Sequence, residues 1–152
     1  MNDAVWRPSA TVAAVIERDG KFLFVEELFD GRRVLNQPAG HLDPGESLEH
    51  ACIREVMEET AHEFVPQALV GIYRWKYEPK DLTYLRFCFS GKVSSFDEKR
   101  KLDKEIVRLH WLSAEELQAR QSEHRSPLVQ VCVNDYLAGR RYPLEVFSRT
   151  YA

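Results

Sequence analysis

Between positions 43 and 63 the chain places seven of its 24 acidic residues against one base, Arg54, so this stretch carries −6 and the remainder +3. Ser47 is a good N-cap, and no proline or glycine interrupts residues 48–60, which predicts a helix there. At about 3.6 residues per turn, Ala51, Cys52 and Val56 form its apolar stripe. Glu55, Glu58 and Glu59 fall on that same face instead of opposing it. Like charges three and four residues apart weaken a helix, and its C-terminal half is where the dipole disfavours anions. A merely solvated helix end would turn its acids away from the stripe. A hard divalent cation, which takes several carboxylate oxygens together, relieves the conflict.

Around this helix the chain reads as an ordinary globular protein. Its 152 residues, 44% hydrophobic and 30% charged, predict one domain spanning 1–152. A net charge of −3 counts against a nucleic-acid polymer as partner. The longest apolar run, residues 12–16, falls far short of a bilayer span. Asp3, Trp6 and Arg7 stand where a signal peptide would begin, so a cytoplasmic location is expected. Cys52, Cys88 and Cys132 are widely spaced and fit reduced, buried thiols.

Strand-like runs at 11–16 and 21–26 flank an Asp19-Gly20 turn, and Asp30-Gly31 marks a second turn before Val34. Pro38, Gly40, Pro44 and Gly45 predict a loop. Further strands are expected at 69–77, 84–93 and 106–112, with a polar loop at 94–104. Ser113 opens a short helix through 118, and Ser126-Pro127 a last helix to about residue 137, ended by Gly139. Strands mixed with two or three helices indicate an α/β sandwich.

The series Gly40-x5-Glu46-x7-Arg54-Glu55-Val56-Met57-Glu58-Glu59 resembles the Nudix box, Gly-x5-Glu-x7-Arg-Glu-U-x-Glu-Glu-x-Gly-U, where U is bulky and aliphatic. Five charged positions, Gly40 and Val56 match at fixed spacing. Ala61 and His62 depart from it, standing where the box has Gly and an aliphatic residue. Gly would serve there as a left-handed helix terminator, a conformation that costs Ala about 1 kcal/mol.

The resemblance implies the Nudix fold, an α/β/α sandwich with a mixed β-sheet, and a hydrolase acting on phosphoanhydrides with Mg2+ or Mn2+. It implies Glu58 and Glu59 as principal metal ligands, joined by the Gly40 carbonyl. Glu55 is then a further ligand or the base that activates water. Glu105 is the second acid so implied, as metal contact or general base, against a plain solvent-exposed reading. Arg54 belongs to the catalytic motif, and its expected part is an orienting ion pair with Glu46.

Substrate contacts are read from residue chemistry. Asn36 and Gln37 carry amides able to read a base edge or to satisfy the backbone. Trp75 and Tyr73 alternate on a strand, to stack on a base or to fill the core. Arg86 has the fork that matches phosphate, or serves a cross-strand ion pair. His41, beside Gly40, approaches phosphate or packs in the loop. The expected partner is a small phosphorylated substrate, such as a nucleoside tri- or diphosphate or a thiamine-related pyrimidine pyrophosphate, bound by a monomer or homodimer. Within the hydrolase reading, other nucleoside diphosphate derivatives (dinucleoside polyphosphates, nucleotide sugars, oxidised nucleotides) are the alternative substrates, and two other classes remain open: a ligand-sensing module without catalysis and a purely structural domain. The first predicts a lost box acid, and all are present. The second leaves the carboxylate face unexplained.

Overall fold

Two Asp-Gly turns start the fold. Strands β1 (Ser9–Arg18) and β2 (Lys21–Phe29) meet at Asp19-Gly20, and β2 meets β3 (Arg32–Asn36) at Asp30-Gly31. All four turn residues have φ between 51° and 76°, the doubly left-handed geometry that matches the twist of the flanking strands. The structure, a computed structural model, describes residues 4–148, so the ends of the expected 1–152 domain lie outside it.

After the turn, β1 and β2 stay paired only through Glu17↔Phe22 and Arg18↔Lys21, and then splay apart. Beyond that point β1 runs parallel to β6 (Leu82–Phe96) and antiparallel to β4 (Ala39–His41). In turn, β6 pairs along its length with β5 (His62–Tyr77). The other branch holds β2 between β3 and β7 (Ile106–Leu112). The sheet is therefore mixed, ordered β3-β2-β1-β6-β5 with β4 and β7 off this path. Its fork leaves an opening between the two branches.

Helix α1 (Leu48–Thr60) covers one face, packing Ala51, Cys52 and Val56 on Val12, Ala14, Ile16, Leu23 and Phe89. Helices α2 (Ala114–Ala119) and α3 (Leu128–Leu137) cover the other, where Leu117, Val129, Cys132 and Val133 meet Ala13, Val15, Phe22 and Phe24. Alternation along β1 feeds both cores, which is the period-two signature of a strand buried on two sides. The result is the α/β/α sandwich expected from the sequence. All three cysteines are buried and free. Among the described residues no helix is long and apolar enough to cross a membrane.

Three boundaries differ from the sequence reading. Part of the 38–45 loop is β4, held as a strand by its remote partner β1. Strand β5 begins at His62, immediately after α1, and β6 continues to Phe96. Ala61 takes the left-handed conformation (φ 56°, ψ 23°) where the box has Gly, and its N–H donates to Met57 O. His62 is buried, stacks on Phe96 with centroids 4.7 Å apart, and bonds through Nδ1 to Thr60 O.

Candidate active site

Ser47 caps α1 by accepting the His50 N–H at 3.1 Å, which fixes where the helix begins and so where its acids point. Arg54 then gathers them. Its Nε and Nη2 grip Glu46 at 3.0 and 2.6 Å in a two-point pair, while Nη1 reaches Glu55 at 2.8 Å and Glu58 at 3.2 Å. Nη2 also donates to His41 O at 2.9 Å, and Glu46 accepts the Asp43 N–H at 2.7 Å. One guanidinium thus ties the 41–46 loop to the helix. Hydrogen bonding from Arg54 holds the Glu46 carboxyl below its ordinary range.

The Glu55 carboxyl lies against Gly40, in the space where any Cβ would sit. Burial pushes its pKa up to about 7 despite Arg54 beside it. Glu59 is more enclosed, only 7% exposed, and accepts the Ala39 N–H at 2.8 Å. Burial raises its pKa well above the carboxylate range, and neighbouring Glu27 pushes the same way. Such a group of acids is charge-starved. Its members stay ionised together only with more positive charge than Arg54 supplies.

A loop acid that sequence reading missed joins this group. Oxygens of Glu55, Glu58 and Asp103 lie within 4.8 Å of one another. The loop is set there by α1's own free carbonyls: Asp103 N donates to Glu58 O at 3.1 Å and Asp97 N to Ala61 O at 2.9 Å. Glu105, two residues on, is anchored through its carbonyl to Leu28 N at 2.9 Å and lines the neighbouring cavity. The two loop acids are indistinguishable by local pattern.

That cavity, about 440 Å3, fills the fork between the sheet branches. Gly40, His41, Glu55, Glu59 and Glu105 line it toward α1. Thr11, Glu27, Leu28, Phe29, Asn36, Trp75, Tyr84 and Arg86 come from the strands, and Arg125, Ser126 and Leu128 complete the lining. Trp75 stacks on Tyr84 (centroids 5.8 Å, planes 14° apart), and the Arg125 guanidinium lies 3.9 Å from the centre of the Phe29 ring.

The residues expected to read substrate divide between wall and interior. Asn36, His41, Trp75 and Arg86 line the cavity, whereas Gln37 does not. Gln37 is 1% exposed, donates to Val129 O at 2.8 Å and accepts from Arg86 at 3.0 Å, so both ends of its amide are used inside the protein. Arg86, itself buried, also donates to Asn36 Oδ1 at 3.0 Å. Among the described residues it has no carboxylate partner, so the cross-strand ion pair is not formed. It is a buried cation held by two amide oxygens. Tyr73 turns to the core and donates to Asp135 at 2.7 Å. Glu27 and Arg125, paired at 2.8 Å, escaped sequence reading because nothing in the local pattern of either brings the two together.

Comparison with known proteins agrees with this architecture. A NUDIX domain model matches residues 6–132. The chain is 39% identical over 144 residues to phosphatase NudJ of Escherichia coli strain K12, covering 95% of this chain and 93% of that one. The same figures hold for phosphatase NudJ of Shigella sonnei strain Ss046. A NUDIX hydrolase structure from Nitrosomonas europaea superposes with a TM-score of 0.93 at 56% identity, covering 95% of this chain and 98% of that one. The MutT NUDIX hydrolase of Burkholderia pseudomallei, at 17% identity and TM-score 0.74 over 86% of this chain and 98% of its own, shares the fold. The chain belongs to the Nudix family and is a Nudix hydrolase.

Proposed function

We propose that this protein acts as a single domain that uses a divalent cation, Mg2+ or Mn2+, to hydrolyse phosphoanhydride bonds in small substrates. Nucleoside tri- and diphosphates and thiamine-related pyrimidine pyrophosphates are the candidate classes. The observation that carries this reading is the oxygen cluster of Glu55, Glu58 and Asp103, whose member Glu55 also lines a cavity walled by Phe29, Trp75 and Tyr84.

The donor set fits a hard cation. It consists of carboxylate oxygens, its acids are under-compensated, and Gly40 leaves the room that the Glu55 carboxyl needs. Glu55, Glu58 and Asp103 would hold the ion, with Glu59 and the Gly40 carbonyl adjoining them. When bound, the cation would neutralise phosphate oxygens and make water a better nucleophile at neutral pH.

The protein's own groups do the rest. Arg54 keeps Glu55 and Glu58 in register and holds the 41–46 loop down. A general base needs an oxygen free to accept a proton. Glu55 has one oxygen taken by Arg54 and would give the other to the ion, while Glu105 lines the cavity with no ion pair among the described residues, so Glu105 receives the proton. Water attacks phosphorus, the bridging P–O bond breaks, and the electron pair leaves with the departing phosphate. His41 and Arg86 lie along the tail, and Trp75 and Phe29 wall the end that takes the ring.

Phosphate release from a panel of these compounds, with Mg2+, Mn2+ or chelator and in 18O-labelled water, tests the reading. Release that requires the cation and places 18O in one product is expected. Tight nucleotide binding with no release under any cation would make the chain a sensor instead.

A further inference from the structure

Arg86 is a buried guanidinium held only by neutral acceptors. It is 7% exposed, and its terminal nitrogens donate to Gln37 Oε1 and Asn36 Oδ1, each at 3.0 Å. Neither amide is free to turn. The Gln37 amide nitrogen is fixed on Val129 O at 2.8 Å. That of Asn36 donates at 3.3 Å to Glu27, whose carboxylate is already paired with Arg125. The one carboxylate in this chain of contacts thus balances Arg125, and Arg86 keeps its charge. Its Nε donates to no described residue and is not walled in, and Arg86 lines the cavity.

Strand register places this charge. His41 on β4, Thr11 on β1 and Arg86 on β6 stand opposite one another across three adjacent strands, and all three line the cavity. Strands lie about 4.8 Å apart, so the Arg86 backbone is about 10 Å from that of His41. His41 in turn follows Gly40, whose missing side chain leaves the room that the Glu55 carboxyl fills. The oxygen cluster and the unbalanced guanidinium are therefore separate points served by one row of residues. Elsewhere the cavity wall carries Glu27, Glu55, Glu59 and Glu105, which repel an anion. A buried positive charge without a counter-ion is costly, and an anionic ligand relieves it. Amide oxygens can aim a guanidinium as a carboxylate would, without cancelling the charge that draws phosphate.

We propose that Arg86 seats a phosphate of the substrate other than the one at the carboxylate cluster, and that Gln37 and Asn36 are positioning residues that aim its guanidinium without neutralising it. The Asn-Gln pair then serves the phosphate tail and not a base edge. The proposal rests on the phosphohydrolase reading for its substrate, but the seat can be measured without hydrolysis.

The test gives Arg86 the carboxylate it lacks. Gln37→Glu keeps the size of the side chain and an oxygen toward Arg86, so a purely structural partnership would leave KM alone. The proposal expects KM for the best nucleoside triphosphate of the panel to rise about tenfold or more at saturating Mg2+, with kcat changed less than about threefold. An unchanged KM in folded Gln37→Glu protein overturns it. Binding needs no turnover. With Mg2+ present, wild type should bind the methylene-bridged analogue of ADP about tenfold or more tighter than AMP, and Arg86→Gln should bring that ratio close to one. Equal binding of the two by wild type, or a ratio that Arg86→Gln leaves intact, overturns the proposal even where Gln37→Glu does not fold. Arg86-dependent binding of the analogue by a chain that hydrolyses nothing would sink the phosphohydrolase reading alone.

Discussion

The Glu55 carboxyl occupies the volume in which a side chain on Gly40 would begin, so the two residues are matched by shape and not only by motif. Gly40→Ala should therefore displace Glu55 from the oxygen cluster. Hydrolysis is expected to fall about 100-fold, the usual consequence of misplacing a reacting group by about 1 Å. The overpacking should cost roughly 1–3 kcal/mol, leaving a folded protein. Full activity in a folded Gly40→Ala protein would show that Glu55 has no part in the chemistry.

The acid limb of the stability curve should report the Glu46–Arg54 pair. Glu46 has its pKa depressed in the folded state, so its contribution is present above its ordinary value of 4.5 and is lost as pH falls through the folded value. Glu46→Gln should accordingly lower Tm near neutrality and matter progressively less below about pH 4. A Tm difference that stayed constant with pH would mean that the pair acts by packing, not by charge. Loss of this tether should also loosen the loop at His41 O and Asp43 N, which limited proteolysis would detect.

Ala61 sets two effects of similar size against each other. Its left-handed conformation costs about 1 kcal/mol relative to Gly, while its buried methyl contributes about 0.8 kcal/mol. Ala61→Gly should thus change stability by less than about 0.5 kcal/mol. Ala61→Val, β-branched in the same conformation, should destabilise by more than about 2 kcal/mol and lower Tm by roughly 4–8 °C. Thermal melts of the two variants decide this, and a large gain from Gly would mean that the methyl contributes nothing.

Asp103 and Glu105 should separate under mutation. Asp103→Asn is expected to weaken Mn2+ binding about tenfold or more, because it removes one of three clustered oxygens. Glu105→Gln should leave Mn2+ affinity nearly intact and lower kcat by about 100-fold or more. Unchanged turnover in Glu105→Gln would return the role of base to Glu55.

What the sequence revealed was what local rules govern. Both Asp-Gly turns, the Ser47 cap and the carboxylate face of α1 depend on neighbours within a few residues. Strand β4 was hidden because Pro38 and Gly40 punctuate it and its partner Val12 is remote. Asn36 and Gln37 are adjacent and chemically alike, and only the fold decides that one faces the cavity and the other the core. Glu27 was obscured for a related reason: KFLFVEEL reads as a strand, but nothing in it tells which glutamate meets Arg125.

The fork between β1 and β2 has a consequence for how the enzyme comes to exist. A peptide covering residues 36–63 would hold Gly40, Glu46, Arg54, Glu55, Glu58 and Glu59, and still be no smaller version of the site. Thr11, Trp75, Arg86, Asp103 and Arg125 arrive from segments that meet only when both branches and both helical layers have closed. The motif is an index to the site and not a module of it. Cation affinity and substrate affinity should thus emerge late and together during folding, when the last long-range contacts form.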